Sequence, residues 1–163
     1  MRIALSNDHA GFLLKPVVKD FLLAAGHQVI DVGTQDDASV DFPVMTRRVT
    51  TLVTAGQADR GILVCGTGVG AAIAANKVPG IRAAVIHDTY VARQGVEHDD
   101  VNVACLGAWI VGPKIAEDVI TAYLDARFST DPDFRRRVAQ LAEMEGAFVG
   151  AARVDEGRSE SHD

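Results

Sequence analysis

The sequence predicts an α/β protein built on a mainly parallel sheet of five strands. Short apolar runs alternate along the chain with longer amphipathic segments, the pattern of strands joined by packed helices, and five such runs can be counted. The length of 163 residues suffices for one domain with a real core and is too short for two of ordinary size. Apolar residues make up 48% and charged residues 23%, which excludes a wholly disordered or collagen-like chain.

Ile3-Ala4-Leu5 opens the first strand. Phe12 to Ala25 follows as a helix, with Leu14, Val17, Val18, Phe21 and Leu22 at the spacing of one buried face and Gly26 as its stop. Pro16 is tolerated because it falls in the first turns, where a missing N–H does no harm. His27 to Val32 is the second strand, closed by Gly33, and the polar stretch Thr34 to Phe42 is a loop at its carboxyl end. Pro43 to Ala55 reads as a helix, Gly61 to Cys65 as the third strand, and Ala71 to Asn76 as a short helix after a glycine-rich turn. Val78-Pro79-Gly80 is a turn, Arg82 to Ile86 the fourth strand, Thr89 to Glu97 a helix and Val101 to Cys105 the fifth strand. Pro113 to Arg127 is a helix with Pro113 at its first position. A last helix runs from about Pro132 to Glu145, and the small and charged residues after it, 147–163, are expected to form a mobile tail on a domain of residues 1–146.

Charge and cysteine usage narrow the function. Sixteen Lys and Arg against 22 Asp and Glu leave a net charge of −6, with no basic run to neutralise a row of phosphates, so nucleic acid is not an expected partner. The first thirty residues lack the pattern of a leader and no eighteen apolar residues are consecutive, so a cytosolic protein without a membrane partner is expected. Cys65 and Cys105 lie in or beside apolar runs and form no disulfide framework. No HExxH, paired CxxC or EF-hand spacing occurs, so a metal site is not expected, and no other cofactor is expected either.

The most informative segment is Gly61 to Gly70, a buried strand running into a turn with glycines at 66, 68 and 70 before a helix. Such a turn exposes backbone N–H groups, which with the helix dipole form a site for an anion or a developing oxyanion. The same field is expected to lower the titration of Cys65 from the ~8.5 of a free thiol and make it a base or nucleophile, the alternative being a buried structural cysteine. The loose pattern Gly66-x-Gly68-x-x-Ala71, with Asp88 further on, is a weak dinucleotide signal because it follows the third strand, not the first. At the end of the first strand, Asp8 and His9 emerge side by side above the carboxyl edge of the sheet, where ligands bind. The competing reading of Asp8 is a helix cap. Glu97-His98-Asp99-Asp100 offers a second imidazole or is a solvated loop, while His27, His87 and His162 lack a comparable setting.

Taken together, Asp8-His9-Ala10-Gly11, Val40 to Pro43, Gly61 to Gly70, Ala74 to Ala84 and Glu97-His98 resemble the ribose-5-phosphate isomerase B and galactose-6-phosphate isomerase family over residues 1 to about 145. The resemblance implies a Rossmann-like three-layer fold, a homodimer or dimer of dimers with shared active sites, and metal-free interconversion of aldose and ketose phosphates. By resemblance Cys65 is the base that moves a proton between C1 and C2 through a cis-enediolate. The N–H groups of Gly66 to Gly70 and the Thr67 side chain act at the oxygen, His98 of the neighbouring subunit opens the ring, Asp8 contacts sugar hydroxyls, and His9 lies near the phosphate.

The sequence departs from the family at the substrate. The family usually has Asn where this chain has Asp99, Tyr where it has Phe42, and phosphate-binding arginines where it has Trp109 and Asp133, whereas Arg137 keeps its place. Charge-assisted hydrogen bonds contribute about 1.5 to 3 kcal/mol each, so the loss of two cations weakens dianion binding unless Arg135 or Arg136 compensates, and the latter two can equally form a solvated helix face. A substrate other than ribose 5-phosphate is therefore expected as an alternative: a tetrose phosphate, another pentose or hexose derivative, or a free sugar. A non-catalytic anion-binding module and a dinucleotide-dependent oxidoreductase are the competing functional classes.

Overall fold

The computed structural model describes residues 1–156, with side chains described through residue 146. Five strands form one sheet, β1 (Arg2–Asn7), β2 (Gln28–Asp31), β3 (Arg60–Cys65), β4 (Ala83–Val85) and β5 (Val103–Gly107), in the order β2-β1-β3-β5-β4 with every pair parallel. The helices are α1 (Lys15–Ala24), α2 (Phe42–Thr54), α3 (Val69–Ala75), α4 (Thr89–Asp99), α5 (Pro113–Asp125) and α6 (Pro132–Glu156). The chain divides into two compact units, the first Met1–Phe128 and the second beginning at Ser129 with α6.

Alternation along the central strands builds two cores in the first unit. Ile3, Leu5, Ile62, Val64, Ala104 and Leu106 face α1, α4 and α5, while Ala4, Leu63, Val103 and Cys105 face α2 and α3. A buried parallel sheet with helices on both faces fits the α/β pattern of the sequence and is the three-layer arrangement that the family resemblance implies. The helix after β1 goes to one face and that after β3 to the other, so the two loops part and leave a crevice at the carboxyl edge between these neighbouring strands, at the topological switch point.

Several boundaries differ from the sequence reading. A single 3-10 turn, His9–Gly11, precedes α1, which begins at Lys15 and not at Phe12; Pro16 thus sits within its first two positions. β5 lies two residues later than expected, because Asn102 is spent on the connection: its side chain accepts from Arg82 N and donates to Gly80 O. Asn76 similarly pairs with both backbone groups of Ala83. Much of the Ala74 to Ala84 motif therefore secures the edge strand β4. α6 continues through Gly146 to Glu156 instead of ending near Glu145, in keeping with the helix-forming alanines beyond that glycine. The last part of the expected mobile tail, residues 157–163, lies outside the described residues.

Candidate active site

β1 and β3 run in register to Asn7 and Val64, and Asp8 N donates to Val64 O at 3.2 Å, so Asp8 arrives beside Cys65. The fit depends on Gly11. A Cβ there would stand 2.0 Å from Val64 O, so only glycine lets the 3-10 turn settle on the end of β3. The Asp8 carboxylate is 6% exposed and caps that turn by accepting from Gly11 N at 3.0 Å. It also accepts from the Cys65 thiol. The cap reading of Asp8 holds, and the same carboxylate meets the Cys65 thiol.

Cys65 is half-buried, whereas Cys105 is fully buried on the same face of the sheet. The electrostatics correct the sequence expectation for the sulfur. Burial is the largest influence and pushes the Cys65 thiol above its ordinary value; the hydrogen bond to Asp8 and the Asp8 charge add to it, and the N–H groups of Gly68 and Gly66 pull the other way without prevailing. The turn does aim donors at the sulfur, but the adjacent carboxylate and the loss of solvent outweigh them.

The turn itself is tightly built. Gly68 has φ of 80° and caps α3, a left-handed conformation that admits the sharp bend into the helix. Thr67 is exposed at the apex, and Val69 N donates to its Oγ1 at 3.4 Å. The Trp109 indole lies on Gly66, where a Cβ would meet the ring at 2.7 to 2.9 Å, and Trp109 N donates to Gly66 O at 3.0 Å. The Trp109 side chain is nonetheless 73% exposed. The Phe42 ring rests against Gly70 in the same way, at 3.2 Å from its virtual Cβ.

Two clasps hold the loop between β2 and α2 over this edge. Lys15, 4% exposed, donates to Thr34 O at 2.6 Å and lies 3.4 Å from Asp31, which also pairs with Lys19 at 3.0 Å. Burial raises the Asp31 carboxyl, but the hydrogen bonds from Lys19 and Gly33 N and the charges of both lysines outweigh it and hold it below the usual range. The second clasp is the exposed His9, whose Nδ1 accepts from Val40 N at 3.3 Å.

Not all expected residues converge. His98 and Asp99 belong to the last turn of α4, followed by Asp100 at φ of 51°, so the polar cluster is a helix end and not a loop. α4 packs on the face opposite to that of Cys65 and runs back toward the amino edge, where Asn102 meets Gly61 at the start of β3. Cys65 stands four residues further along β3, about 13 Å at the usual rise per residue. Within one chain, His98 and Cys65 therefore do not face a common point. His98 instead contacts Gln94 at 3.0 Å. In the second unit, the Arg137 guanidinium lies 5.6 Å from the Phe134 ring centroid, and Arg136 pairs with Asp133 at 2.5 Å.

His87 was missed by sequence reasoning. It follows β4 at the carboxyl edge and accepts from Gly107 N at 3.0 Å. The signal existed, because His87-Asp88 after a strand has the same form as Asp8-His9. Among the described residues there is no His, Cys, Asp and Glu cluster suited to a metal, and no helix long and apolar enough to cross a membrane.

Comparison with known proteins shows the family and agrees with the fold. Residues 3–141 match the family model described as Ribose/Galactose Isomerase. The chain is similar to ribose-5-phosphate isomerase B of Escherichia coli, with 42% identity over 127 residues, 78% of this chain and 85% of that protein. It is similar to the D-erythrulose-4-phosphate isomerase of Pectobacterium atrosepticum, 41% identical over 131 residues with the same two shares of 78% and 85%. The structure of Clostridium thermocellum ribose-5-phosphate isomerase B superposes with a TM-score of 0.88 at 44% identity, covering 91% of this chain and 99% of the other.

Proposed function

This chain belongs to the ribose/galactose isomerase family and is a sugar-phosphate isomerase, and we propose that it interconverts aldose and ketose phosphates with Cys65 as the base. The observation that carries this reading is the sulfur itself: half-buried at the carboxyl end of β3, hydrogen-bonded to Asp8 and faced by the N–H groups of Gly66 and Gly68. A purely structural cysteine requires none of these partners.

In the forward step the Cys65 thiolate takes the hydrogen on C2 of the open-chain aldose as a proton, and the electron pair moves into the C1–C2 bond and onto O1. The N–H groups of the turn, with the Thr67 hydroxyl at its apex, stabilise the charge on that oxygen. The thiol returns its proton to C1, and the O2 proton passes to O1, which leaves a ketone at C2. Asp8 keeps acceptor capacity beyond its bonds to Gly11 N and the thiol, and takes a sugar hydroxyl. Because the thiol titrates above its ordinary value, the thiolate fraction and the rate rise with pH through the alkaline range.

His98 opens the furanose ring from a second copy of the chain. This reading rests on the position of α4, whose end is turned away from the Cys65 of its own chain. A homodimer with sites shared across the interface, in the cytosol, is the assembly it requires, and the dimers can pair further. His9 and Arg137 are the cations assigned to the phosphate.

Trp109 favours a substrate other than ribose 5-phosphate. Its indole covers Gly66, next to the base, in a place where the family usually carries a phosphate-binding arginine. With the relatives that act on D-erythrulose 4-phosphate, this supports a four-carbon sugar phosphate. The test is deuterium uptake at C2 in D2O over a panel of four- to six-carbon sugars and their phosphates. Uptake that disappears in Cys65→Ala supports the reading; no uptake with any member, or uptake that survives Cys65→Ala, refutes it.

A further inference from the structure

We infer that His87 is a positioning residue for the catalytic turn, acting through the last amide of β5; the inference rests on the proposed role of Cys65. β5 pairs with β3 so that Gly107 stands beside Cys65, and with β4 so that Cys105 stands beside Val85. Continued by two residues, the second register brings His87 beside Gly107. Asp8, Cys65, Gly107 and His87 thus form one row across the carboxyl edge, and successive registered residues of a parallel sheet share a face.

In a parallel ladder the Gly107 amide would be received by the backbone of the neighbouring strand. Ile86 N still donates to Cys105 O at 3.0 Å, but β4 has already ended and the chain turns into α4, where Asp88 caps the helix by accepting from Val91 N at 2.8 Å. The imidazole of His87 supplies the missing rung, with Nε2 as the acceptor. Accepting at Nε2 requires that nitrogen to be unprotonated and places the ring proton on Nδ1.

This rung matters to the base because the residues on either side of it support the turn. Gly107 lies under Thr67, where a Cβ would stand 2.9 Å from the Thr67 carbonyl carbon and oxygen. Ala108 N donates to Cys65 O at 2.8 Å, and Trp109 N donates to Gly66 O. Gly68 in turn lies against the Cys105 carbonyl, 3.2 Å from its virtual Cβ. The end of β5 is the floor on which Cys65 to Gly68 rests, and His87 fixes its height. Loss of the rung lets the floor move, which misaims the turn's N–H groups and the sulfur while leaving the outer substrate contacts in place.

The test compares two polar replacements. In His87→Gln the side-chain oxygen reaches the place of Nε2, whereas in His87→Asn it reaches only that of Nδ1. With D-erythrulose 4-phosphate and D-ribose 5-phosphate as probes, we expect His87→Asn to lose kcat by tenfold or more with KM changed less than threefold, and His87→Gln to stay within threefold of the parent in both. Equal losses in the two variants, or a loss confined to KM, overturn the inference. Alkylation of Cys65 by iodoacetamide gives a substrate-free readout, expected to change in His87→Asn and not in His87→Gln. Nitrogen-15 spectra of the unmutated protein cover the case in which His87→Asn does not fold: Nε2 must appear as the unprotonated nitrogen coupled to the Gly107 amide, and a protonated Nε2 at the pH of activity overturns the inference. If Cys65→Ala keeps activity, the base assignment fails and this inference with it; if Cys65→Ala is inactive and His87→Asn is unimpaired, this inference alone fails.

Discussion

Gly11→Ala is the most incisive perturbation of the crevice, because it adds one methyl group where the backbone of β3 already stands. The added carbon would lie 2.0 Å from Val64 O and 2.4 Å from Val64 C, and neither is a side-chain end that can swing away. The 3-10 turn must therefore lift off β3 by more than an ångström. Overpacking of this kind costs about 1 to 3 kcal/mol. Lifting also breaks the bonds from Asp8 N to Val64 O and from Gly11 N to Asp8 Oδ1, at about 1 kcal/mol each. The smaller unfolded-state entropy of alanine offsets only about 0.4 to 1 kcal/mol of this. A net loss of about 3 kcal/mol lowers Tm by about 10 °C for a chain of this size. Thermal melting followed by circular dichroism gives the stability. The same displacement draws Asp8 away from the thiol, so Cys65 alkylation at neutral pH should speed up while isomerisation slows. A Gly11→Ala protein with unchanged Tm and unchanged alkylation would refute the steric reasoning and the coupling of Asp8 to Cys65 together.

Four further outcomes follow from the same geometry. Asp8→Asn removes a charge that holds the thiol proton, so iodoacetamide should react faster with Cys65 at pH 7 while deuterium exchange into the substrate slows; slower alkylation would contradict the assigned electrostatics. Asp31→Asn leaves the buried Lys15 ammonium without its counter-ion and should cost about 3 kcal/mol in urea unfolding. Since the folded-state Asp31 carboxyl titrates below its unfolded value, its share of stability is complete above about pH 4 and is lost as pH falls further, a loss that Asp31→Asn should abolish. Inactive Cys65→Ala and His98→Asn proteins, unfolded and refolded together, should regain about a quarter of the parental activity, because a mixed dimer rebuilds one intact site; no recovery would exclude sharing of the site. Trp109→Arg combined with Asp133→Arg should improve kcat/KM on ribose 5-phosphate, and the exposed indole should leave stability nearly unchanged.

Local chemistry made much of this molecule legible before any coordinates. The apolar runs at Ile3, Gly61 and Val103 had to be strands of a covered sheet, and the prolines at 16, 43 and 113 fall in the first two positions of α1, α2 and α5. The glycines at 66, 68 and 70 marked the turn, and Asp8 follows one strand while Cys65 ends another, which brings them to one edge of any parallel sheet. What misled was the environment at longer range. The glycine turn suggested an acidic thiol, since a helix start can be read in a linear sequence, whereas the Asp8 carboxylate and the burial that outweigh it come from another strand. His98 looked like a loop residue because its polar neighbours hide the last turn of α4, and His87 was set aside because its partner is a backbone amide twenty residues away.

The sequence by itself determined the fold class, the family and the edge of the sheet at which Asp8 and Cys65 meet, because strand periodicity, proline and glycine placement and a long contiguous motif are all local properties. Tertiary structure alone decided which groups meet the sulfur, that the end of α4 is turned away from the Cys65 of its own chain, and why positions 11 and 107 exclude a side chain. The physical reason is that proton affinity and steric fit are sums over everything within a few ångströms. In a parallel sheet, those neighbours arrive from strands far apart along the chain.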